Sequence, residues 1–289
     1  MSARTVQPKV AVRPKAKGKK IASGHLRGRS ADKPNRRHLL RGAVATLGAA
    51  MLTGCDKISE NPGFAGVLKS AENLSHAAHR VVAGRRAMAQ EFTEADIAPK
   101  FKGNGTLVPM DADYRAMMQN GFADWKLQIG GLVEKPLAFS LAELRAMPSR
   151  TQITRHDCVE GWSAIGKWKG VPLAHLLEQA KPLPSARFVV FRCADSMDEP
   201  STATLDTRYY ESVDLDDAYH AQTVLAYELN DKPLPVNNGA PLRARIERQL
   251  GYKQAKYLMR IELVESFDKI RGGNGGYWED EGYEWYAGI

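Results

Sequence analysis

Apolar positions recur along this chain with two different periods. Phe64, Val67, Leu68, Ala71, Leu74 and Ala78 follow helical spacing, which predicts one or two amphipathic helices over residues 63–90. Residues 91–124 show no period and read as irregular, with Gly103-Asn104-Gly105 in their middle. From Trp125 onward Leu127, Ile129 and Leu132-Val133 predict strands joined at Gly130-Gly131. Further strands are expected at Thr151–Asp157, Arg187–Cys193, Gln222–Leu229, Pro233–Val236, Leu242–Ile246 and Tyr257–Val264, with Asn230-Asp231 as a tight hairpin turn. One short helix opens with the capping-box pattern Ser140-Leu141-Ala142-Glu143 and stops near Pro148; another covers Leu173–Ala180. Strands outnumber helices and do not alternate regularly with them. The expected fold is therefore α+β, a mixed, mainly β core with short helices, not a wound α/β sheet.

The 289 residues suffice for one substantial core. The formal charge of +8 suggests nucleic acid or an acidic membrane until its location is considered. Residues 1–55 hold 13 of the 41 Lys and Arg and a single acid, Asp32, leaving 28 basic against 32 acidic residues elsewhere. A mildly acidic body has no electrostatic reason to grip phosphate backbones, which argues against nucleic acid as a partner. The basic leader contains Asn35-Arg36-Arg37-His38-Leu39-Leu40-Arg41 and then the apolar stretch from Gly42 to Leu52. Paired arginines before a short apolar run form a twin-arginine export pattern, and the run falls short of the roughly 20 residues of a membrane span. Leu52-Thr53-Gly54-Cys55 resembles a lipobox, making Cys55 a candidate for lipidation. The expectation is a periplasmic protein loaded with a cofactor before export, and anchored to the inner membrane if Cys55 is lipidated. The chain divides into a leader (1–55), a helical and irregular extension (56–124), the main domain (125–271) and an aromatic-rich arm (272–289).

The densest chemistry is Arg155-His156-Asp157-Cys158-Val159-Glu160-Gly161-Trp162-Ser163, followed by Trp168-Lys169-Gly170-Val171-Pro172-Leu173. A cysteine at a strand end beside His156 and Arg155 is expected to favour the thiolate. A thiolate can be a nucleophile, half of a disulfide or a soft metal ligand. Zinc is disfavoured because no second Cys or His stands at ligand spacing. A cysteine-nucleophile mechanism would need a distant base such as His175 or His220, and an inert buried cysteine is a further reading. Cys193 ends an apolar strand and reads as core; a Cys158–Cys193 disulfide would forbid a metal site.

The segment resembles the molybdopterin-dependent oxidoreductases of the sulfite oxidase superfamily, in the branch of the periplasmic methionine sulfoxide reductase catalytic subunits. Three motifs carry the resemblance: Cys158-Val159-Glu160-Gly161-Trp162-Ser163 with Trp168 and Gly170-Val171-Pro172-Leu173; Asn238-Gly239-Ala240-Pro241-Leu242-Arg243; and Gly251-Tyr252-Lys253. It spans roughly Trp125 to Ser266. It implies that Cys158 binds molybdenum beside the dithiolene of a single pterin, that Asn238 and Arg243 hold the pterin, and that Gly251, Tyr252 and Lys253 receive its phosphate. Asn104 matches an upstream cofactor-contacting Asn.

Sulfite oxidases carry an arginine five residues after the ligand cysteine; here that residue is Ser163. The expected activity is oxygen-atom transfer from a small S-oxide or N-oxide. Sulfite oxidation is the alternative if Arg155 or Arg208 replaces the missing cation, and a non-catalytic membrane-anchored binding protein is the alternative of another class. The chain has no Cys-Xaa-Xaa-Cys-His heme motif, so electrons are expected from a separate partner, a membrane heme protein or a cytochrome c. The arm packs five aromatics into residues 277–286, and is expected either to pack across the domain or to line the cofactor entrance and dock a redox partner. Tyr209-Tyr210 read as pocket or packing residues, and Asp195, Ser196 and Asp198 as a loop near the pocket. Arg245 and Arg248 support the cofactor's charge or face solvent.

Overall fold

The structure is a computed structural model that describes residues 62–84, 86–197 and 207–289. The twin-arginine pattern, Cys55 and Asp198 lie outside the described residues.

Alternation at Leu127 and Ile129, both buried, builds β1 (Lys126–Gly131). Its antiparallel partner is β2 (Leu137–Ser140), not Leu132-Val133. The chain leaves the strand at Gly131, which has a left-handed φ of 79°, and Val133 forms only an isolated bridge to Pro182. The capping box at Ser140 forms as expected: Ser140 Oγ accepts from the Glu143 backbone N–H and opens α3, described below. The first sheet runs β2-β1-β10-β5-β6, with β5 (Phe188–Ser196), β6 (Arg208–Asp214) and β10 (Leu258–Val264); only the β1–β10 contact is parallel.

The second sheet contains β3 (Arg150–Cys158), β4 (Trp162–Pro172), β7 (Val224–Leu229), β8 (Lys232–Pro233) and β9 (Arg243–Arg245), the last paired with β7. Asn230 and Asp231 both take left-handed φ, which closes the predicted β7–β8 hairpin. Besides β2, two strands escaped the pattern. The buried face of β4 is Ala164, Gly166, Trp168 and Gly170, mostly too small to register as apolar alternation. In β6 both faces are buried and include Glu211 and Ser212, so no period of two appears. The main core joins Leu127, Val189, Phe191, Ile261 and Leu263 of the first sheet to Val171, Leu225 and Tyr227 of the second. Each such side chain contributes roughly 1.5–3 kcal/mol by burial.

Helix α1 (Pro62–Ala83) stops at Gly84, short of residue 90, and the chain then runs extended past β3. Its apolar stripe points outward, with Val67, Leu74 and Val81 exposed, while His76 and Arg80 face the body. Helix α2 (Ala112–Gln119) lies within the segment read as irregular; Asp111 caps it by accepting from Tyr114 N, and the buried Tyr114 hydroxyl donates to Ala240 O. The remaining helices are α3 (Leu141–Ala146), α4 (Leu173–Ala180) as predicted, α5 (Leu215–Ala218) and α6 (Tyr277–Asp280).

Two buried charge clusters tie the ends of the chain to this body. Arg80 donates to Asp217 Oδ1 at 3.0 Å and to Asp214 Oδ2 at 2.8 Å, and Arg248 reaches the same Asp217 oxygen at 2.6 Å. Burial alone would push Asp217 up, but Arg80 and Arg248 outweigh it and hold this carboxyl below the usual range. In the second cluster Lys253, fully buried, lies between Glu211, at 2.7 Å, and Glu279 of the arm. Trp285 Nε1 donates to Ser212 Oγ, Tyr252 OH to Glu284 O and Leu250 N to Ala287 O, so residues 272–289 pack across the first sheet's edge.

Lys253→Ala leaves two buried acids without their cation and is expected to cost about 3 kcal/mol in chemical denaturation. A loss too small to resolve would contradict the latch. Arg80→Ala should destabilise at neutral pH by about 1–3 kcal/mol. Because the folded-state carboxyl of Asp217 is depressed, the Asp217 share of that contribution is complete above pH 3.8 and fades as the pH falls through the lowered value, whereas the Asp214 share, its carboxyl raised by burial, begins to fade at higher pH. A stability difference independent of pH between 2 and 7 would show that the ion pair is not its source.

Candidate functional site

Cys158 is the last residue of β3 and lines a cavity of about 200 Å³ with Asn104, Thr106, Asp195, Tyr209 and Lys256 among its other walls. The β3–β4 hairpin fixes it there: Cys158 pairs with Trp162, and Cys158 O accepts from Gly161 N, with Gly161 at left-handed φ. The cysteine is half-buried and free, as is the fully buried Cys193, so no disulfide competes for it.

The charges expected to favour a thiolate are not available to it. Arg155 points outward and binds its neighbour Asp157 at 2.9 Å. His156 is buried, and burial, then Arg245 and Arg243, hold it well below its ordinary value as a neutral ring. Its Nδ1 accepts from Arg245 Nη1 at 3.0 Å, and Gly251 presses so close that a Cβ there would stand 2.6 Å from Nε2. Burial pushes the Cys158 thiol up, and the Glu160 carboxylate adds to that rise. Such a cysteine is protonated when free and gives up its proton to a bound cation.

The other predicted site residues fall into two groups. Asn104, Gly251 and Tyr252 line the cavity. Asn238 and Arg243 lie in a buried layer: Arg243 donates to Asn238 O and Gln254 O, and Gln254 is itself a wall residue. Lys253 does not reach the cavity. The 3-10 turn Gly251–Lys253 directs it inward to Glu211 and Glu279, which makes it a structural cation. The lysine on the cavity wall is Lys256, whose ammonium donates to Asn104 O and Thr106 O. The run Gly-Tyr-Lys-Gln-Ala-Lys offers two lysines, and only the acid-rich arm, a partner for the first, hinted which was free for a ligand.

Of the residues left with open roles, Tyr209 lines the cavity and Tyr210 donates to Asp280 on the arm. Asp195 sits in β5, not in a loop, and faces the cavity. Arg245 and Arg248 are buried on Glu247 and Asp217 rather than solvated. His175 and His220 do not line the cavity, and His220 is held by Ala87 O. Neither could serve Cys158 as a base. Trp278 and Tyr283 of the arm complete the wall.

The donor set suits an anionic organic cofactor with a soft metal. Arg243 is fully buried, makes no salt bridge among the described residues, and leaves Nε without a partner. Burial, then Arg245, works against its charge, yet a guanidinium keeps its proton. Lys256 is pushed down to about 8 by burial and then by Arg243. Asn238 Nδ2 is a further buried donor without a partner. Clustered orphan donors and uncompensated cations beside a thiol fit a phosphate-bearing group whose metal takes a sulfur ligand.

Residues 115–269 match the family described as the oxidoreductase molybdopterin binding domain. A putative protein-methionine-sulfoxide reductase subunit YedZ1 from Azospira oryzae is 33% identical over 263 residues, covering 90% of both chains. The protein-methionine-sulfoxide reductase catalytic subunit MsrP of Xanthomonas axonopodis pv. citri is 39% identical over 145 residues, which is 49% of this chain and 45% of that one. The chain thus spans under half of that MsrP relative. Among solved structures, the sulfane dehydrogenase SoxCD from Paracoccus pantotrophus aligns with TM-score 0.44 and 23% identity over 50% of this chain and 39% of its own. The family match and the Azospira relative establish that the chain belongs to the oxidoreductase molybdopterin-binding domain family, of the sulfite oxidase type, and is a molybdenum-dependent oxidoreductase.

Proposed function

We propose that this protein reduces an S-oxide, the methionine sulfoxide of an oxidised protein, at molybdenum bound through Cys158 and a single pterin. The observation that carries the reading is the distribution of charge around the cavity. Neither arginine that could replace the cation missing at Ser163 faces it: Arg155 is bound to Asp157, and Arg208 to Asp111. Ser163 itself donates to Asp157 Oδ1 at 2.5 Å. Among the described lining residues Lys256 is the lone cation, and it is the one the cofactor's phosphate requires. The rest of the wall is largely aromatic or neutral, with Glu160 and Asp195 as its acids, which suits a neutral substrate better than a sulfite dianion. The relatives named for protein methionine sulfoxide point the same way.

Cys158 Sγ would hold the metal; Lys256, Asn104 and Gln254 would meet the cofactor's polar groups, with Asn238 and Arg243 behind them. When bound, the cofactor supplies the two-electron centre that takes the oxygen atom. The residues around it orient the substrate and keep water out. S-oxide reduction consumes two electrons and two protons and releases the thioether and water. Burial raises Asp195 to about 7 against the opposing pull of Lys256, so its carboxyl takes up and releases a proton near neutral pH at the cavity wall. Electrons come from a separate redox protein, since Cys55, Cys158 and Cys193 form no heme motif. Arg36-Arg37 supports twin-arginine export to the periplasm, and Leu52-Thr53-Gly54-Cys55 supports a lipid anchor there.

The test is molybdenum analysis and turnover of protein made in a host that supplies the cofactor. The wild type should carry stoichiometric molybdenum and reduce methionine sulfoxide faster than it oxidises sulfite. Cys158→Ala should abolish turnover, and Lys256→Ala should lower molybdenum content about tenfold or more, whereas folded Lys253→Ala keeps it. Wild-type protein that oxidises sulfite and leaves sulfoxides untouched would overturn the reading.

A further inference from the structure

The arm carries aromatic residues that do more than pack: Trp278 lies against the main core and also reaches the cavity. Tyr283 is 42% exposed and yet lines the cavity, as does Trp278. Their rings lie 5.3 Å apart at 31°, Tyr283 N donates to Trp278 O at 2.9 Å, and the Tyr283 ring meets Tyr252 edge-on at 5.3 Å. Three aromatics therefore form one continuous wall.

That wall is held from behind. Glu279, next to Trp278, is locked to the buried Lys253. Asp280 accepts from Tyr210 OH at 2.6 Å and from the backbone N–H groups of Gly272 and Asn274. Tyr252 OH donates to Glu284 O. Glu279, Asp280 and Glu284 are not among the cavity's walls, and Trp278 and Tyr283 are the arm residues that line it. Both residues lie beyond residue 269, where the family match ends.

An uncharged aromatic surface beside a metal-binding thiol selects by carbon and sulfur, not by charge. The alkyl groups next to a polarised sulfur pack favourably on ring faces and edges. An inorganic oxyanion carries no such groups and gains nothing there.

We propose that Trp278 and Tyr283, with Tyr252, are the specificity-determining residues of this site, recognising the alkyl substituents of an aliphatic S-oxide. The inference rests on the S-oxide reading and adds the residues that read the substrate. It assigns the arm a task in addition to packing.

The experiment compares wild-type holoenzyme with Tyr283→Ala and Trp278→Leu, using a reduced viologen as electron donor. The substrates are N-acetylmethionine sulfoxide and chlorate, an oxygen donor with no carbon. Each variant should raise KM for the sulfoxide about three- to tenfold, the range expected of one sulfur–aromatic contact. kcat should stay within about a factor of two, and kcat/KM for chlorate and molybdenum content should be unchanged, as should the Tm of Tyr283→Ala. Calorimetric affinity for N-acetylmethionine sulfone, which binds without turnover, should fall by the same factor as KM rises. Unchanged KM in Tyr283→Ala, an equal loss on chlorate, or molybdenum lost in parallel would overturn the proposal. Tyr283→Ala keeps the test sound if Trp278→Leu folds poorly, because Tyr283 is 42% exposed and lies outside the core clusters. A wild type that retains molybdenum but reduces no sulfoxide would sink the parent reading, and with it this one. Variants that fail against an active wild type sink this one alone.

Discussion

A guanidinium cannot shed its proton, and Arg243 is fully buried with no salt bridge among the described residues; the nearby Glu247 is paired to Arg245. That leaves negative charge to be supplied from outside the chain, and much of the surrounding architecture follows from where it can be supplied. The Arg243 fork is filled by two carbonyls, Asn238 O and Gln254 O, so the segments on either side of β9 are drawn onto it. Lys256 stands in front, on the cavity wall, hydrogen-bonded to the backbone carbonyls of Asn104 and Thr106 and within electrostatic reach of Asp195. The nearby Lys253 is taken out of contention by Glu211 and Glu279. A cofactor phosphate is the natural counter-charge, and the chain alone is left with repulsion between Arg243, Arg245 and Lys256.

The same division separates what a family fold provides from what this chain adds. The sheets, the thiol and most of the cavity's walls lie within residues 115–269, while Asn104, Thr106, Trp278 and Tyr283 complete the cavity from outside that span. The helix α1 clamp on Asp217 and the aromatic arm lie outside that span and close over it from both chain ends. Each is fastened by a buried ion pair, and the arm adds aromatic packing of Trp285 on Phe188 and of Tyr277 on Tyr209. Helix α1 even turns Val67, Leu74 and Val81 away from the body, so its attachment depends on Arg80 far more than on hydrophobic burial.

How much of this was readable in the sequence depended on whether the deciding interaction was local. The Ser140–Glu143 capping box, α4 and the Asn230-Asp231 hairpin are set by residues within a few positions of one another, and they form as read. Strand β4 was hidden because close approach to its neighbours demands glycine and alanine on its buried face, and β6 because it buries Glu211 for the sake of Lys253. The amphipathic stripe of α1 was legible, but which side it turns inward was not, since that is decided by Asp214 and Asp217 far along the chain. At the site, the Cys158 motif announced itself, whereas the choice between Lys253 and Lys256 was settled by Glu279 in the arm. Arg155 and His156, adjacent in sequence to the thiol, prove electrostatically useless to it because one is turned outward to Asp157 and the other is kept neutral.

The central claim is that Cys158 is the protein's own ligand to the metal. X-ray absorption at the molybdenum edge tests it most directly, on wild-type holoenzyme beside Cys158→Ser loaded in the same host. The account predicts one sulfur fewer around the metal in the variant, with the cofactor still held by Lys256 and the Arg243 layer. An unchanged number of sulfur neighbours in the two proteins would contradict it.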